Sequence, residues 1–477
     1  MQHVQGTSRD QLTLFPDSVD DYIAPDNPVR FLDAFIDTLD LQALGFRHAL
    51  LEETGRPPYH PGDLLKLYVY GYFNRIRSSR MLEREAQRNL EALWLLRRLT
   101  PDFKTIADFR KDNRSAIQQV CRQFSLFCRQ QQLFQGDLVA IDGSKFKAVN
   151  SRGRTFTKKQ LKRTIQKLDQ DIERYLDELD AADQEEPPEE KLTAEELRQK
   201  IEDMQRQRAK AKQLEQKLKQ SGQSQISLTD PDSRCMPAAG GRTTDVGYNV
   251  QVAVDPLHKL ILDHQVTNAV TDRGLLSSMA KRAKDLLGVD HLEALADMGY
   301  YHGKEVKACL DAGITPYLPK PRTSASRKRG KFSKEDFQYD RRQDCYCCPA
   351  GEQLTFRFRT TEQRRQIKYY TTPACRNCAL RLQCTDNKGG RRITRWLHED
   401  LLDEMETRVR GSPEKMKLRK RLAEHPFGTI KRTWNQGFFL TRGLQSVSTE
   451  MSLTVLAYNL KRVITILGVP RMIEALA

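Results

Sequence analysis

Two short apolar stretches that each end in an aspartate place the tightest limit on how this chain folds. The first, "LVAID", runs from Leu138 to Asp142, and the second, "LEALAD", runs from Leu292 to Asp297. Each predicts a short buried strand with a carboxylate where the strand leaves its sheet. In an open α/β sheet that edge is the usual place for a site. Two carboxylates on neighbouring strands can share a hard divalent cation, so the sequence predicts an α/β core with an acidic site.

A third acidic residue, Glu424, is the candidate that would complete such a site for two-metal phosphodiester chemistry. It lies in the basic stretch "KLRKRLAEHPFGTIKRTWNQGFFLTRG". On an unbroken helix Lys417, Lys420 and Lys431 share a face with Glu424. However, Pro426 predicts a kink or a new helix start near the glutamate. An ordinary intrahelical ion pair between Glu424 and Lys420 is the alternative that the spacing leaves open.

The charge of the chain favours a polyanionic partner. Its 477 residues include 79 lysines and arginines and 63 aspartates and glutamates, a net charge of +16. This excess is typical of nucleic-acid-binding proteins, although a charged, solvated surface would also account for it. The sequence begins without a secretory signal, and no stretch is apolar for long enough to span a membrane. We therefore expect an intracellular protein, whose cysteines are thiols or metal ligands rather than disulfides.

Four of the ten cysteines have the spacing of a zinc site. Cys375 and Cys378 form a CxxC pair, which suits tetrahedral zinc, and Cys348 and Cys384 can complete a four-thiolate set. Cys347 is an alternative to Cys348, and unpaired buried thiols are the alternative to zinc. A site whose four ligands all come from the protein would be structural rather than catalytic.

Two further segments stand out by their periodicity. Apolar residues recur at heptad spacing from Leu161 to Leu179 and resume from Leu197 to Ala211, with "DQEEPPEEK" between them. Two prolines cannot continue a helix, so this segment predicts a helical hairpin. Residues 29–133 have helical periodicity with a basic side, for which a solvated face and a DNA-contacting face are both open. The arginines of that side are Arg75, Arg77, Arg80, Arg84 and Arg88.

Seven stretches of the sequence together resemble the DDE transposases of bacterial insertion sequences. They are "YHPGDLLKLYVYGYFNRIRSSRMLEREAQRN", "PDFKTIADFRKDN", "AIDGSKFKAVN", "DVGYNVQVAVD", "ADMGYYHGKEV", "EHPFGTIKR" and "LAYNLKR". They follow one another in order from about residue 20 to about residue 465. The branch that they resemble most is the large group related to the fourth and fifth named insertion sequences.

The resemblance implies a catalytic core with an RNase H-like fold. It matches the family's first aspartate to Asp142, its second aspartate to Asp297 and its glutamate to Glu424. The lysine that follows the glutamate by seven residues in the family is matched by Lys431. These four residues are therefore the site that the resemblance predicts.

The family's tyrosine and arginine, which precede the glutamate, are matched imperfectly. At the strict spacing Lys417 and Lys420 stand in their places, whereas a shift of one residue puts Met416 and Arg419 there. The tyrosine is missing either way, and a lysine lacks the bidentate geometry with which arginine binds phosphate. We expect Lys431, together with Lys420 or Arg419, to hold DNA phosphates.

The fold class that follows is α/β. An RNase H-like mixed-sheet catalytic core is interrupted by a helical-hairpin insertion and a cysteine-rich insertion, and an all-α domain precedes it. The expected divisions are a flexible arm at 1–28, a helical DNA-binding domain at 29–133, the core at 134–157 and 225–315, a helical-hairpin or coiled-coil insertion at 158–224, a zinc-type insertion at 316–398, and a C-terminal helical part of the core with the catalytic glutamate at 399–477.

The function that the resemblance implies is DNA transposition. Metal-dependent cleavage at terminal inverted repeats frees a 3′-hydroxyl, which then attacks target DNA. The implied cofactors are two Mg²⁺ or Mn²⁺ ions at Asp142, Asp297 and Glu424, beside one structural Zn²⁺ at the four cysteines. The implied partners are double-stranded DNA and a second copy of the chain, as a homodimer on DNA, in the bacterial cytoplasm at the nucleoid.

Two hypotheses from other classes stay open. A decayed or domesticated transposase would bind DNA without cutting it, and the missing tyrosine favours this hypothesis. A structural scaffold built on zinc and a coiled coil would explain residues 158–220 and 316–398. The scaffold leaves the two strand-end aspartates without a role.

Overall fold

The chain forms helices at both ends and strands mainly between them. A computed structural model describes residues 18–50, 57–150, 154–182, 194–220, 225–237, 244–321, 327 and 329–476. The helices are α1 (Pro28–Asp37), α2 (Pro61–Phe73), α3 (Ser79–Arg88), α4 (Leu90–Leu95), α5 (Phe103–Asp112), α6 (Arg114–Gln130), α7 (Lys158–Ala182), α8 (Ala194–Gln220), α9 (Leu276–Leu287), α10 (Gly303–Leu310), α11 (Arg381–Cys384), α12 (Glu399–Gly411), α13 (Pro413–Gly428), α14 (Leu444–Leu467) and α15 (Val469–Glu474). The strands are β1 (Leu138–Lys147), β2 (Thr155–Thr157), β3 (Gln225–Ser227), β4 (Arg234–Pro237), β5 (Thr244–Val254), β6 (Ile261–Thr267), β7 (Leu292–Leu295), β8 (Ile314–Tyr317), β9 (Gln338–Asp340), β10 (Cys345–Cys347), β11 (Gln353–Glu362), β12 (Arg365–Thr371) and β13 (Ile393–Trp396).

The N-terminal helices begin where the sequence supplies caps. The Asn27 side chain accepts a hydrogen bond from the Val29 amide at the start of α1, and Asp102 caps α5 in the same way. Such caps satisfy amides that have no partner inside the helix. None of the described helices combines the length and the apolar character that a membrane span requires.

Part of the predicted N-terminal arm packs against these helices. Residues 1–17 lie outside the described residues, whereas Ile23 is buried and the Trp94 indole donates a hydrogen bond to Asp20 over 2.7 Å. Burial of Ile23 and the bond to Asp20 hold residues 18–28 against α1 and α4.

Helix α2 is buried over nearly its whole length against α14, in a core that also takes in the apolar face of β5. At the edge of this core the Arg77 guanidinium contacts Glu450 over 3.1 Å, and both side chains are buried. Arg77 therefore does not belong to a DNA-facing surface. Arg75, Arg80 and Arg84 of the same series are exposed.

The central sheet is mixed, which confirms the predicted α/β class. Its strands lie in the order β4–β5–β1–β7–β8, and β6 also pairs with β5. Strand β5 is antiparallel to β1 and β6, whereas β7 is parallel to both β1 and β8. Helices α9 and α10 cover one face and α13 covers the other, while α12 packs beside α10 and β8.

Helices α7 and α8 pack against each other between two short strands. Strands β2 and β3 pair antiparallel, with Thr157 opposite Gln225, and so bring the two ends of the helix pair together. Leu161 and Ile172 of the predicted heptad positions are buried, and Arg208 of α8 contacts Asp169 of α7. The proline-containing stretch between the helices lies outside the described residues.

A second sheet contains the cysteine-rich part of the chain. Its strands lie in the order β13–β12–β11–β10–β9, and all of its pairs are antiparallel. Trp396 at the end of β13 packs against Gly303 at the start of α10, which places this sheet beside the central one.

Candidate active site

Asp142 lies inside a strand rather than at its end, so the predicted end of the first strand is wrong. Strand β1 continues to Lys147 because β5 pairs with it along this whole length, with Asp142 opposite Val252. On its other edge β1 pairs with β7 only as far as Ala140. Asp142 therefore lies two residues beyond the end of the parallel pair, where the edge of β1 on the β7 side has no partner strand among the described residues.

Asp297 lies at the same level beyond β7. Ala140 pairs with Leu295, so the same register brings Asp142 opposite Asp297. Two residues along a strand return a side chain to the same face, and both aspartates therefore project toward the α13 side. Asp297 also accepts a hydrogen bond of 2.8 Å from the Gly299 amide, which fixes one carboxylate oxygen.

The two carboxylates influence each other. Burial raises the pKa of Asp142 to about 6, the negative charge of Asp297 contributes to this rise, and the charge of Arg419 opposes it. Two carboxylates this close to each other suit a shared divalent cation, which would relieve the cost of placing their negative charges together. Asp142 and Asp297 therefore fit the role of two metal ligands.

Lys431 reaches the same strand from a turn of π-helix, Thr429–Thr433, which follows α13. Its ammonium group donates to the Ser144 hydroxyl and to the Lys145 carbonyl, each over 2.6 Å. Burial and the charge of Lys145 lower the pKa of Lys431 to about 8. Single π-turns are frequent at functional sites, and this one directs a cation toward the residues that follow Asp142.

The structure separates the two candidates for the arginine role. Arg419 is half-buried and its charge acts on Asp142, whereas Lys417 and Lys420 are exposed. Arg419 lies on the side of α13 that faces the sheet, as do Lys415, which bonds Glu293, and Leu422. The shifted match therefore places an arginine near enough for its charge to act on Asp142, whereas the strict match gives two exposed lysines.

Glu424 is not brought together with the two aspartates. Its side chain is exposed, and among the described residues it makes no hydrogen bond or ion pair, with Lys420 or any other residue. Helix α13 continues through Pro426 to Gly428, so a new helix does not begin at the proline. No group of three or more His, Cys, Asp or Glu side chains in the described part of the chain could hold a metal ion as arranged.

A polar cluster behind the site was not predicted from the sequence. Asp272 accepts hydrogen bonds from Asn249 over 2.7 Å and from Gln251 over 2.8 Å, and Tyr300 bonds Gln251 in turn. A side chain at position 143 would collide with Gln251, which explains the glycine there. The signal was present in "YNVQVAV", where Asn249 and Gln251 alternate with valines.

The four predicted zinc ligands line one small cavity of about 20 Å³, together with apolar side chains such as Phe337. The cysteines are Cys348, Cys375, Cys378 and Cys384. Cys347 is exposed and lies outside this cavity. Burial raises the pKa of the Cys384 thiol, and the other three sulfurs add to the rise.

Gly390 has a φ of 88° and lies against Cys375, so close that a Cβ there would be 2.7 Å from the cysteine Cβ. The chain therefore approaches the cysteine cavity more tightly than any other residue would allow. The four sulfurs share a cavity but do not have the arrangement of a metal site.

Two transposase families match parts of the chain. The model described as "Transposase domain (DUF772)" matches residues 17–112, and the model described as "Transposase DDE domain" matches residues 347–464. The second match includes Glu424, Lys431 and Arg419, whereas Asp142 and Asp297 lie outside both matches.

The comparisons with curated proteins and with solved structures do not extend this assignment. The comparison with curated proteins gives no match. Among solved structures, a cryo-EM structure of a piggyBac transposase synaptic complex with hairpin DNA aligns with a TM-score of 0.30 and 9% identity. The alignment covers 94% of this chain and 79% of that one. A likeness of this size carries no argument about the present chain.

Proposed function

We propose, since the chain belongs to the DDE-type insertion-sequence transposases, that it cuts DNA at the terminal inverted repeats of its element and joins the freed ends to target DNA. The observation that carries this proposal is the register that sets Asp142 opposite Asp297 at the open edge of β1. Glu424 is the third acidic residue of the proposed site. It would have to turn toward the two aspartates when DNA and metal bind.

The residues of the chain have separate tasks in this mechanism. Two Mg²⁺ or Mn²⁺ ions, held by Asp142, Asp297 and Glu424, would activate the attacking oxygen and stabilise the leaving oxygen. The extended pairing of β1 with β5 fixes the position of Asp142. Arg419, whose charge acts on Asp142, and Lys431, which bonds Ser144 and Lys145, would hold non-bridging phosphate oxygens. Water cleaves the phosphodiester first, and the 3′-hydroxyl that it leaves attacks a target phosphodiester in the second reaction.

The central sheet is RNase H-like in this proposal. Apart from the short strand β4, which also pairs with β5, the strand order is β6–β5–β1–β7–β8 with only β5 antiparallel to the others, and this order supports the assignment. Residues 134–157, 225–315 and 399–477 form the core, with insertions at 158–224 and 316–398, and residues 29–133 recognise the ends of the element. Two copies of the chain pair the two ends on double-stranded DNA, at the bacterial nucleoid.

The test is a cleavage and strand-transfer assay on duplex DNA that carries the ends flanking the gene, with Mg²⁺ or Mn²⁺ present. We expect nicks at the ends with the natural protein and none with Asp297→Asn. Asp311→Asn is the matched control, because Asp311 is exposed and, among the described residues, forms an ion pair with Lys307 of α10 alone. Loss of cleavage in both variants, or in neither, would remove the aspartate from the mechanism.

A decayed transposase that binds DNA without cutting it is the second candidate. Two observations favour it: Glu424 is exposed and forms no metal-binding group with the two aspartates as arranged, and the tyrosine of the family motif is missing. Equal binding of the ends by the natural protein and by Asp297→Asn, without cleavage by either, would establish this candidate.

Arg419→Gln is expected to slow cleavage by about a hundredfold, the usual loss when a positioned charge at the reacting group is removed. Lys420→Gln should change the rate less than threefold or so, because Lys420 is exposed on the side of α13 away from Asp142. Single-turnover cleavage of labelled duplex DNA measures both rates. The reverse order of effects would favour the strict spacing of the family motif.

The four cysteines bind one structural Zn²⁺ in this proposal, which their shared cavity supports. Elemental analysis of the purified chain should find about one zinc per chain in the natural protein. Cys348→Ser should lose the metal, whereas Cys347→Ser should keep it, because only Cys348 lines the cavity. Full zinc content in Cys348→Ser would show that the metal is bound elsewhere or through Cys347.

A further inference from the structure

Strand β11 has a long free edge. Strand β10 pairs with it only at Gln353–Thr355, whereas β12 pairs with it as far as Glu362. From Phe356 onward, β11 therefore has a single neighbour among the described strands. We refer to residues 353–371, which comprise β11, β12 and the turn between them, as the basic ribbon.

The basic ribbon carries five arginines or lysines and one acidic residue, a net charge of +4. Three of the arginines, Arg357, Arg359 and Arg364, are exposed and form no ion pair with any described residue. Like charges at this density repel one another, so the folded chain gains nothing from placing them together. A polyanionic ligand would remove that repulsion.

Two phenylalanines are exposed on the same ribbon. Phe356 is 46% exposed and Phe358 is 43% exposed, and the Phe358 ring stacks on Tyr369 with 4.7 Å between centroids. Charged residues on an edge strand protect it from pairing with other chains, and this could account for the arginines alone. It does not account for large apolar rings beside them, since those would promote the same association.

The turn of the ribbon lies beside the segment that follows Asp297. Arg365, the first residue of β12, contacts His302, which follows Asp297 by five residues. From that turn the ten residues of β11 extend for roughly 33 Å at about 3.3 Å per residue. That length corresponds to roughly ten base pairs of duplex DNA at about 3.4 Å per pair.

We propose that the basic ribbon binds duplex DNA next to the phosphodiester that is cut. Its arginines contact phosphates, and its exposed phenylalanines contact sugars and bases in the groove. The position of this DNA relative to Asp297 rests on the proposed function, whereas the binding itself does not. A second copy of the chain is a poorer occupant of the free edge, because it would bring a second ribbon of charge +4 against the first.

The test measures duplex binding without divalent metal, so that no cleavage is required. The triple variant Arg357→Gln, Arg359→Gln, Arg364→Gln is compared with Arg206→Gln, Arg410→Gln, Arg471→Gln. The control removes the same charge from exposed positions on α8, α12 and α15. Fluorescence anisotropy gives the dissociation constant at several salt concentrations. Thermal unfolding checks that both variants remain folded.

The ribbon variant should weaken binding at least about tenfold near physiological salt. The dependence of log K on log salt should become less steep by about 0.9 for each phosphate that the variant no longer neutralises. The control variant should change the dissociation constant and the salt dependence by no more than about a third of the change in the ribbon variant. Phe358→Ser should weaken binding as well, but with the salt dependence unchanged, because no charge is removed.

Equal effects of the two triple variants, or no duplex binding by the natural protein, would overturn the proposal. So would a ribbon variant that changes only the oligomeric state, since the ribbon would then contact a second copy. Ribbon-dependent binding without any cleavage would sustain this inference and remove the proposed enzyme. DNA cleavage together with binding that does not depend on the ribbon would sustain the proposed enzyme and overturn this inference.

Discussion

Asp142→Asn is expected to slow DNA cleavage severely while leaving the fold as stable as before or slightly more stable. The carboxylate is half-buried, and burial together with the charge of Asp297 raises its pKa to about 6. The folded chain without metal therefore bears a cost for that charge, which an asparagine of the same shape does not have. The cleavage rate should fall by about a thousandfold, at the upper end of what one preorganised electrostatic group contributes.

The effect on stability should depend on pH with a definite sign. The folded pKa lies above the ordinary value of 3.8, so at pH above 6 the charge destabilises the folded state in full. As the pH falls from 6 toward 3.8, the natural protein binds a proton at Asp142 and this cost disappears. The difference in thermal midpoint between Asp142→Asn and the natural protein should therefore be largest at neutral pH and vanish in acid.

Asp230→Asn is the matched control for this experiment. Asp230 is fully buried, and it accepts hydrogen bonds of 2.8 Å from the Tyr248 hydroxyl and of 3.1 Å from the Gly443 amide. Loss of that carboxylate should lower the thermal midpoint. If Asp142→Asn lowers the midpoint to the same extent, then Asp142 is a structural residue and its place in the mechanism is lost.

Glu450→Ala is expected to cause the largest loss of stability among the single substitutions considered. The Glu450 carboxylate is fully buried, and it binds Arg77 as well as the amides of Leu440 and Thr441. Removing one partner of a buried ion pair leaves the other charge unpaired, which costs about 3–5 kcal/mol. For a chain of this length the thermal midpoint should fall by about 3–5 °C.

Glu404→Ala is the comparison, because Glu404 forms an exposed ion pair with Arg341 over 3.8 Å. Surface pairs of this kind contribute about 0–1 kcal/mol, so the midpoint of this variant should stay within about one degree of that of the natural protein. Differential scanning fluorimetry at matched protein concentration measures both. Equal thermal midpoints for the two variants would mean that the buried ion pair of Glu450 with Arg77 does not stabilise the folded chain.

The sequence predicted the members of the acidic pair but not their place in the strand. The apolar run stops at Ile141, and local pattern alone therefore ends the strand there. Strand β1 continues because β5 supplies hydrogen-bond partners from about a hundred residues away, which no local pattern reveals. The register of the parallel pair, on which the meeting of Asp142 and Asp297 depends, is likewise set by tertiary packing.

Local sequence pattern also fails to predict which arginine is buried and which of two adjacent cysteines faces the cavity. Arg77 looks like its exposed neighbours in the sequence, and only Glu450, far along the chain, makes it a buried residue. Cys347 and Cys348 are adjacent, and the sequence leaves both open as ligands. Strand β10 ends at Cys347, which is exposed to solvent, whereas Cys348, the next residue, lines the cavity.

The short pairing of β2 with β3 has a consequence for how the chain folds. Lys147 pairs with Gly247, one hundred positions further along the chain, so closure of β1 on β5 would be slow if the connection were a free coil. Helices α7 and α8 can form and pack locally, and the contact of Thr157 with Gln225 then draws the two ends of that segment together. Packing of α7 on α8 thereby brings β1 and β5 close together before they pair. Substitutions that separate α7 from α8 should therefore slow refolding of the central sheet.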